Sequence, residues 1–198
     1  MSYTKTNEKI WDISLLGMFT AIVVVLQLFA PAIKIGMFSF SLVLLPIVIG
    51  AALADSPLAG GWLGLVFGGA VLLSPETVPF WQFSAVGTVV VVLSKGILAG
   101  LAAGVVYRLL AKKNKTAAVI AAAVVCPVVN TGVFALGSYL FFWQLIKEWA
   151  GAAEYANAAA YLFLIIIGLN FLLELGTNLL LSPVAVRLIQ FGKGKALR

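Results

Sequence analysis

Across 198 residues, 63% of side chains are hydrophobic, 10% are charged, and the formal net charge is +6. A soluble domain carries about 25% charged residues, and at this size it could not hide so much apolar surface from water. A soluble globular enzyme, a disordered chain and a coiled coil are therefore excluded, and the absence of His removes imidazole chemistry and the commonest transition-metal ligand.

The mean hydropathy of +1.12 leaves a polytopic membrane protein. A spanning helix needs about 20 apolar residues, so the chain has room for roughly six spans. The first apolar run lies between Asp12 and Lys34 and ends near Pro31. The second lies between Lys34 and Asp55, with Pro46 inside it. Asp55-Ser56-Pro57 predicts a turn into the next helix, because Pro suits a first helical turn. The third run goes from Leu58 to about Leu73, and Ser74-Pro75-Glu76-Thr77-Val78-Pro79 is the clearest loop. The fourth run starts near Trp81 and ends near Leu110, where Lys112-Lys113-Asn114-Lys115 breaks the chain. The fifth spans about Ala117 to Ile146, followed by a polar loop holding Lys147, Glu148 and Glu154. The sixth runs from about Ala158 to Ile189. The last three runs exceed the minimum span, so tilt is expected. Barrel strands are excluded by the length and lack of alternation of the runs. The reading is an all-α integral membrane protein, a six-helix bundle in which residues 1–198 form one transmembrane domain. The first residues show no short apolar segment before a small-residue cleavage site, so signal-peptide removal is not expected.

Basic residues set the orientation. With both termini on one side, that side carries Lys5, Lys9, Arg108, Lys112, Lys113, Lys115, Arg187, Lys193, Lys195 and Arg198, against Lys34 and Lys147 on the other. The positive-inside rule then places both termini in the cytoplasm. Trp81, Trp143 and Trp149 mark the outer boundary and Trp11 the inner one. The basic residues cluster at span ends and read as topology signals, not as a nucleic-acid patch. Cys126 has no partner for an internal disulfide and reads as a small hydrophobe.

Small residues recur every four positions at Gly17 and Ala21, at Gly60, Gly64 and Gly68, and at Gly96, Gly100 and Gly104. Such stripes let another backbone approach closely. For the two glycine triplets, packing within the bundle is expected. Gly17 and Ala21 are the better candidates for a face that docks another membrane protein.

Ionisable residues at membrane depth are costly and are candidates for function. From the rise per residue, Lys95 lies about 20 Å below the outer end of its run, Glu174 and Asn130 about 24 Å, and Asn170 about 18 Å. Asn170, Glu174 and Asn178 share one helical face. Two readings compete. In one, Lys95 and Glu174 pair and the asparagines bond helix to helix. In the other, these residues form a polar pocket open to the outside, where Lys95 attracts a carboxylate and the amides bind hydroxyl or amide groups. Gln27, Gln82 and Gln144 lie nearer its mouth, and Phe80, Trp81, Tyr139 and Trp143 could supply apolar walls. The loops at 33–39 and 74–78 could gate it. Such a pocket suits a small organic solute.

The segment Cys126-Pro127-Val128-Val129-Asn130-Thr131-Gly132-Val133-Phe134 is similar to the P-V-x-N-T-G-x-F segment of the pantothenate-type S components of energy-coupling factor (ECF) vitamin transporters. Leu93-Ser94-Lys95-Gly96 also looks like that branch, and the likeness in length, spans and short loops covers nearly the whole chain. The resemblance implies high-affinity capture of a vitamin, most simply pantothenate, at a bacterial cytoplasmic membrane. It implies no cofactor, and as partners a membrane coupling subunit and two ATPases, with toppling of the S component to release its cargo inside. It brings Thr131 into the substrate site beside Lys95, Asn130, Asn170, Glu174 and Gln27, with Trp81 and Tyr139 as walls. It also aligns Gly17 and Ala21 with the A-x-x-x-A docking motif of the first helix, Gly standing where the first Ala falls. The chain has no G-x-x-x-x-G-K-[ST] segment, so it does not hydrolyse ATP by that route.

Other readings are an S component for folate, riboflavin, biotin or cobalamin, and a ligand-free structural or regulatory membrane subunit. A membrane enzyme is disfavoured because no nucleophile–base pair, metal cluster or diacidic motif is present. A self-sufficient secondary transporter is disfavoured because the first three runs have no counterparts of Lys95, Asn130 and Glu174.

Overall fold

The computed structural model describes residues 2–29, 34–35, 38–39 and 42–196, with side chains described for 10–11, 13–29 and 42–192. The helices are α1 (Ser2–Phe29), α2 (Leu44–Leu53), α3 (Pro57–Leu72), α4 (Val78–Phe83), α5 (Ala85–Ala111), α6 (Lys115–Phe141), α7 (Trp143–Ala152), α8 (Ala158–Tyr161) and α9 (Leu169–Ala196). A 3-10 turn, Pro75–Thr77, precedes α4, and a π-helical segment, Leu162–Gly168, joins α8 to α9. Between α1 and α2, two-residue strands β1 (Lys34–Ile35) and β2 (Phe38–Ser39) pair antiparallel, Lys34 facing Ser39. The rest of the expected gate at 33–39 lies outside the described residues.

Local chemistry explains most boundaries. Pro46 sits in the first turn of α2, where a missing N–H costs nothing. Asp55 adopts φ 48°, closing the turn before α3. Ser56 then caps α3, accepting from Ala59 N at 3.4 Å, with Pro57 at the first helical position. Asn114 caps α6 by accepting from Ala117 N at 3.0 Å, so the break at 112–115 falls where expected.

Among the described residues, three helical stretches are long and apolar enough to cross a membrane: α5, α6, and the composite from Ala158 to Gly192. α3 and the Pro75–Phe83 segment, bent by 74°, together make a fourth. The first two apolar runs form shorter apolar helices, Ile13–Phe29 within α1 and the ten residues of α2. At 1.5 Å per residue α2 reaches only about 15 Å, half the hydrocarbon layer. α2 is instead the centre of the core. Leu44, Leu45, Ile47, Val48, Ile49, Ala51 and Ala52 are all buried, and α1, α3, α5, α6 and α9 pack around it. α1 buries Leu15, Phe19, Val23 and Gln27, four apart on one face, and leaves Gly17, Met18, Ala21 and Val25 exposed.

The expected glycine seam forms within the chain. α5 packs most extensively on α3 and α6. Gly60 meets Gly100, Gly64 meets Gly96, and Gly68 meets the backbone at Val92 and Leu93.

Three boundaries depart from expectation. The fourth run begins at Ala85, not Trp81, because Ser84 caps α5 by accepting from Gly87 N at 3.2 Å. The fifth ends at Phe141, because buried Phe142 leaves helical geometry (φ −123°, ψ 12°) to place its ring among other aromatics. The loop expected after Ile146 is helical to Ala152, with Leu145, Ile146 and Ala150 buried and Gln144, Lys147 and Glu148 exposed.

Candidate substrate cavity

A cavity of about 480 Å³ opens between α5, α6 and the π segment with α9, roofed by α4 and α7. Its volume lies in the range of small-molecule sites. α5 supplies Thr88, Val91, Val92 and Lys95; α6 supplies Asn130, Thr131 and Phe134; α9 supplies Asn170 and Glu174. Glu76, Thr77, Phe80, Phe142, Trp149, Tyr161 and the isoleucines at 165–167 complete the lining with Val71.

The polar residues are not mutually satisfied. Asn170 Nδ2 donates to Glu174 Oε1 at 3.3 Å. Glu174 Oε2 and Asn130 Oδ1 are buried acceptors without a hydrogen-bond partner among the described residues. The Lys95 ammonium lies over two rings, 5.7 Å from the centre of Phe67 and 5.3 Å from that of Phe134. These π faces attract a cation without consuming its three N–H donors. Buried polar groups are normally paired, so a cation lining one cavity with two acceptors that have no partner among the described residues fits a ligand with an anionic group and several donors. Part of the wall is aromatic. Phe80 packs edge-on against Phe134 at 6.0 Å, Phe142 at 5.0 Å and Trp149 at 5.6 Å. Among the described residues no cluster of three metal-ligating side chains occurs.

Five of the eight expected substrate residues share this cavity: Lys95, Asn130, Thr131, Asn170 and Glu174. Gln27, Trp81 and Tyr139 do not line it. Gln27 is buried against the far side of the loop and donates to Ser74 Oγ at 3.3 Å. Trp81 Nε1 donates to Leu72 O at 3.1 Å, pinning α4 to the end of α3. Thr77 adds a hydroxyl bond to Ser74 O at 2.7 Å, so the 74–83 connection is tied down at three points. Tyr139 is exposed and packs on Trp143. Gln82 and Gln144 are exposed as well. Sequence reasoning does not single out Glu76, Thr88, Phe142, Trp149 and Tyr161 as lining residues. An outer-boundary Trp and a loop carboxylate carry signals of topology, and only the fold-back of α7 and the course of the Pro75–Thr77 turn bring them to the cavity lining.

The stripe on α9 also divides. Asn170 and Glu174 face the cavity, whereas Asn178 is buried and donates to Ala123 O on α6 at 3.1 Å. Asn178→Ala is expected to lower the stability of the empty protein by about 1 kcal/mol and to leave ligand affinity within twofold. Thermal unfolding and calorimetry on the same variant check both halves.

The chain is a bundle of apolar helices around a polar, aromatic-walled cavity of small-molecule size. The family model for the substrate-specific component of ECF transporters matches residues 12–186, and the chain belongs to this family. It is thus an integral membrane transport subunit, not an enzyme, that gives an ECF importer its substrate specificity and works with coupling and ATPase modules. No curated protein and no solved structure matches the chain significantly.

Proposed function

We propose that this chain captures pantothenate from outside a bacterial cytoplasmic membrane. The observation that carries the reading is one cavity lined by Lys95, whose ammonium lies over the Phe134 ring, and by Asn130 and Glu174, whose Oδ1 and Oε2 have no hydrogen-bond partner among the described residues. Pantothenate is a small monoanion with two hydroxyls and an amide. Its carboxylate pairs with Lys95, its hydroxyls and amide N–H donate to Glu174 and Asn130, and Thr131 and Asn170 supply further polar contacts. Its methyl groups lie against Phe80 and Phe134.

The same reading has the chain crossing the membrane six times with both termini inside, the apolar stretch Ile13–Phe29 of α1 and the whole second run, of which α2 is the helical part, completing the count. α1 docks on the coupling subunit through Gly17 and Ala21. Both are exposed, and nothing lies within 4 Å of a Cβ built on Gly17.

One observation favours a second reading. Glu76 and Glu174 set two carboxyl side chains against one lysine in the lining. That balance suits a vitamin carrying a positive charge, with or without a carboxylate.

The test is a panel of pantothenate, biotin, folate, riboflavin, thiamine and cobalamin against the purified protein, by calorimetry and thermal shift. A ligand at 100 times its Kd stabilises the folded state by about 2.7 kcal/mol. Pantothenate is expected to give the largest shift. A larger shift with thiamine establishes the second reading. A folded protein that responds to no vitamin removes both and leaves a ligand-free subunit.

A further inference from the structure

We propose that the π-helical segment Leu162–Gly168 is the positioning device of the cavity, with Gly168 as the residue that permits it. The inference rests on the cavity being the substrate site. Tyr161 and Asn170 both line it, yet they are nine positions apart. On a straight α-helix, at about 100° per residue, they would lie on opposite faces, about 180° apart. A π turn absorbs one extra residue, so the two act as if eight apart and fall about 80° from each other. Without it, either Tyr161 or the pair of Asn170 and Glu174 would turn out of the cavity.

Gly168 has a specific reason to be glycine. Phe163 O lies 2.8 Å from a Cβ built there, and that contact is with backbone, which cannot swing aside. Gly176, two turns further on the same helix, has nothing within 4 Å and serves as the control.

The prediction is that Gly168→Ala forces the segment toward α geometry and rotates Asn170 and Glu174 by about 100°. Vitamin affinity falls at least tenfold, whereas Gly176→Ala stays within twofold of wild type. Deleting exposed Leu164 in the Gly168→Ala background removes the extra residue, restores an eight-residue relation between Tyr161 and Asn170, and recovers affinity to within about threefold. A role in stability alone gives no such recovery. A second readout needs no ligand. Asn170→Cys is modified by a water-soluble maleimide through the cavity, against a background of fully buried Cys126. Modification is expected to fall tenfold with Gly168→Ala and to return with the deletion. Wild-type affinity and labelling in Gly168→Ala would overturn the proposal, as would a double variant no better than the single one. If Gly168→Ala does not fold, a folded double variant with wild-type labelling upholds the proposal, and an unfolded or unlabelled one overturns it. The labelling arm also reads the π turn where no vitamin in the panel binds, so failure of the substrate assignment stays distinct from failure of this inference.

Discussion

Lys95→Ala is expected to weaken binding of an acidic vitamin at least about 100-fold, equivalent to about 2.7 kcal/mol. Lys95 is the sole basic side chain in the cavity lining among the described residues. Its ammonium sits 5.3 Å from the Phe134 ring centre and 5.7 Å from that of Phe67. A hydrogen bond to a charged partner contributes about 1.5–3 kcal/mol. Removing one partner also leaves the ligand carboxylate buried and unpaired, which adds to the loss. The empty protein should not lose stability, because a lysine at this depth costs about 2.5–3.5 kcal/mol to insert. Calorimetry gives the first quantity and thermal unfolding of the empty protein the second. Wild-type affinity in the variant would sink the charge-pairing assignment. A strong fall in empty-protein stability would instead make Lys95 a structural residue.

The second large effect is expected at the seam of α3 and α5. A Cβ on Gly64 would collide with Gly96 O, and one on Gly100 would collide with Gly60 O. Those contacts are with backbone, so neither rotamer change nor side-chain repacking relieves them. Gly64→Ala should cost at least about 1–3 kcal/mol through overpacking, and Gly64→Val should prevent recovery of folded protein. Gly69, on the same helix with nothing within 4 Å, is the matched control. Gly69→Ala should be neutral or stabilising by up to about 1 kcal/mol, since Ala is the better helix former. Melting temperature and the monodisperse fraction in detergent measure both. Equal stability of Gly64→Ala and Gly69→Ala would mean that the helices do not meet on glycine backbones.

Much of this is legible in the chain because it is encoded locally. Asn114, Pro57 and Ser56 mark helix starts by capping chemistry that a reader of the sequence can apply directly. Glycines four apart announce a close helix contact, and the seam lies on α3 and α5. Depth arithmetic puts Lys95, Asn130, Asn170 and Glu174 at one level, and all four line one cavity. The aromatic wall is less legible. Phe80 lines the cavity and its neighbour Trp81 does not, because the indole N–H is spent on Leu72 O. No pattern of hydropathy distinguishes two adjacent aromatic residues in a short bent helix.

The sequence by itself determined the solvent of this protein, its helical class, its main breaks and the level of its polar residues. Each follows from transfer free energy, charge, or a spacing within one helix. Tertiary structure alone decided what each polar residue meets. Glu174 and Asn178 are one turn apart on the same stripe, yet one faces a void and the other a carbonyl of α6, a difference that no rule confined to one helix predicts. Tertiary structure also decided where the long helices break, since Phe142 leaves its helix to fill an aromatic cluster and the segment before Gly168 widens into a π turn. Those outcomes depend on the shape left between neighbouring helices, which is a property of packing across the bundle and not of any window of the chain.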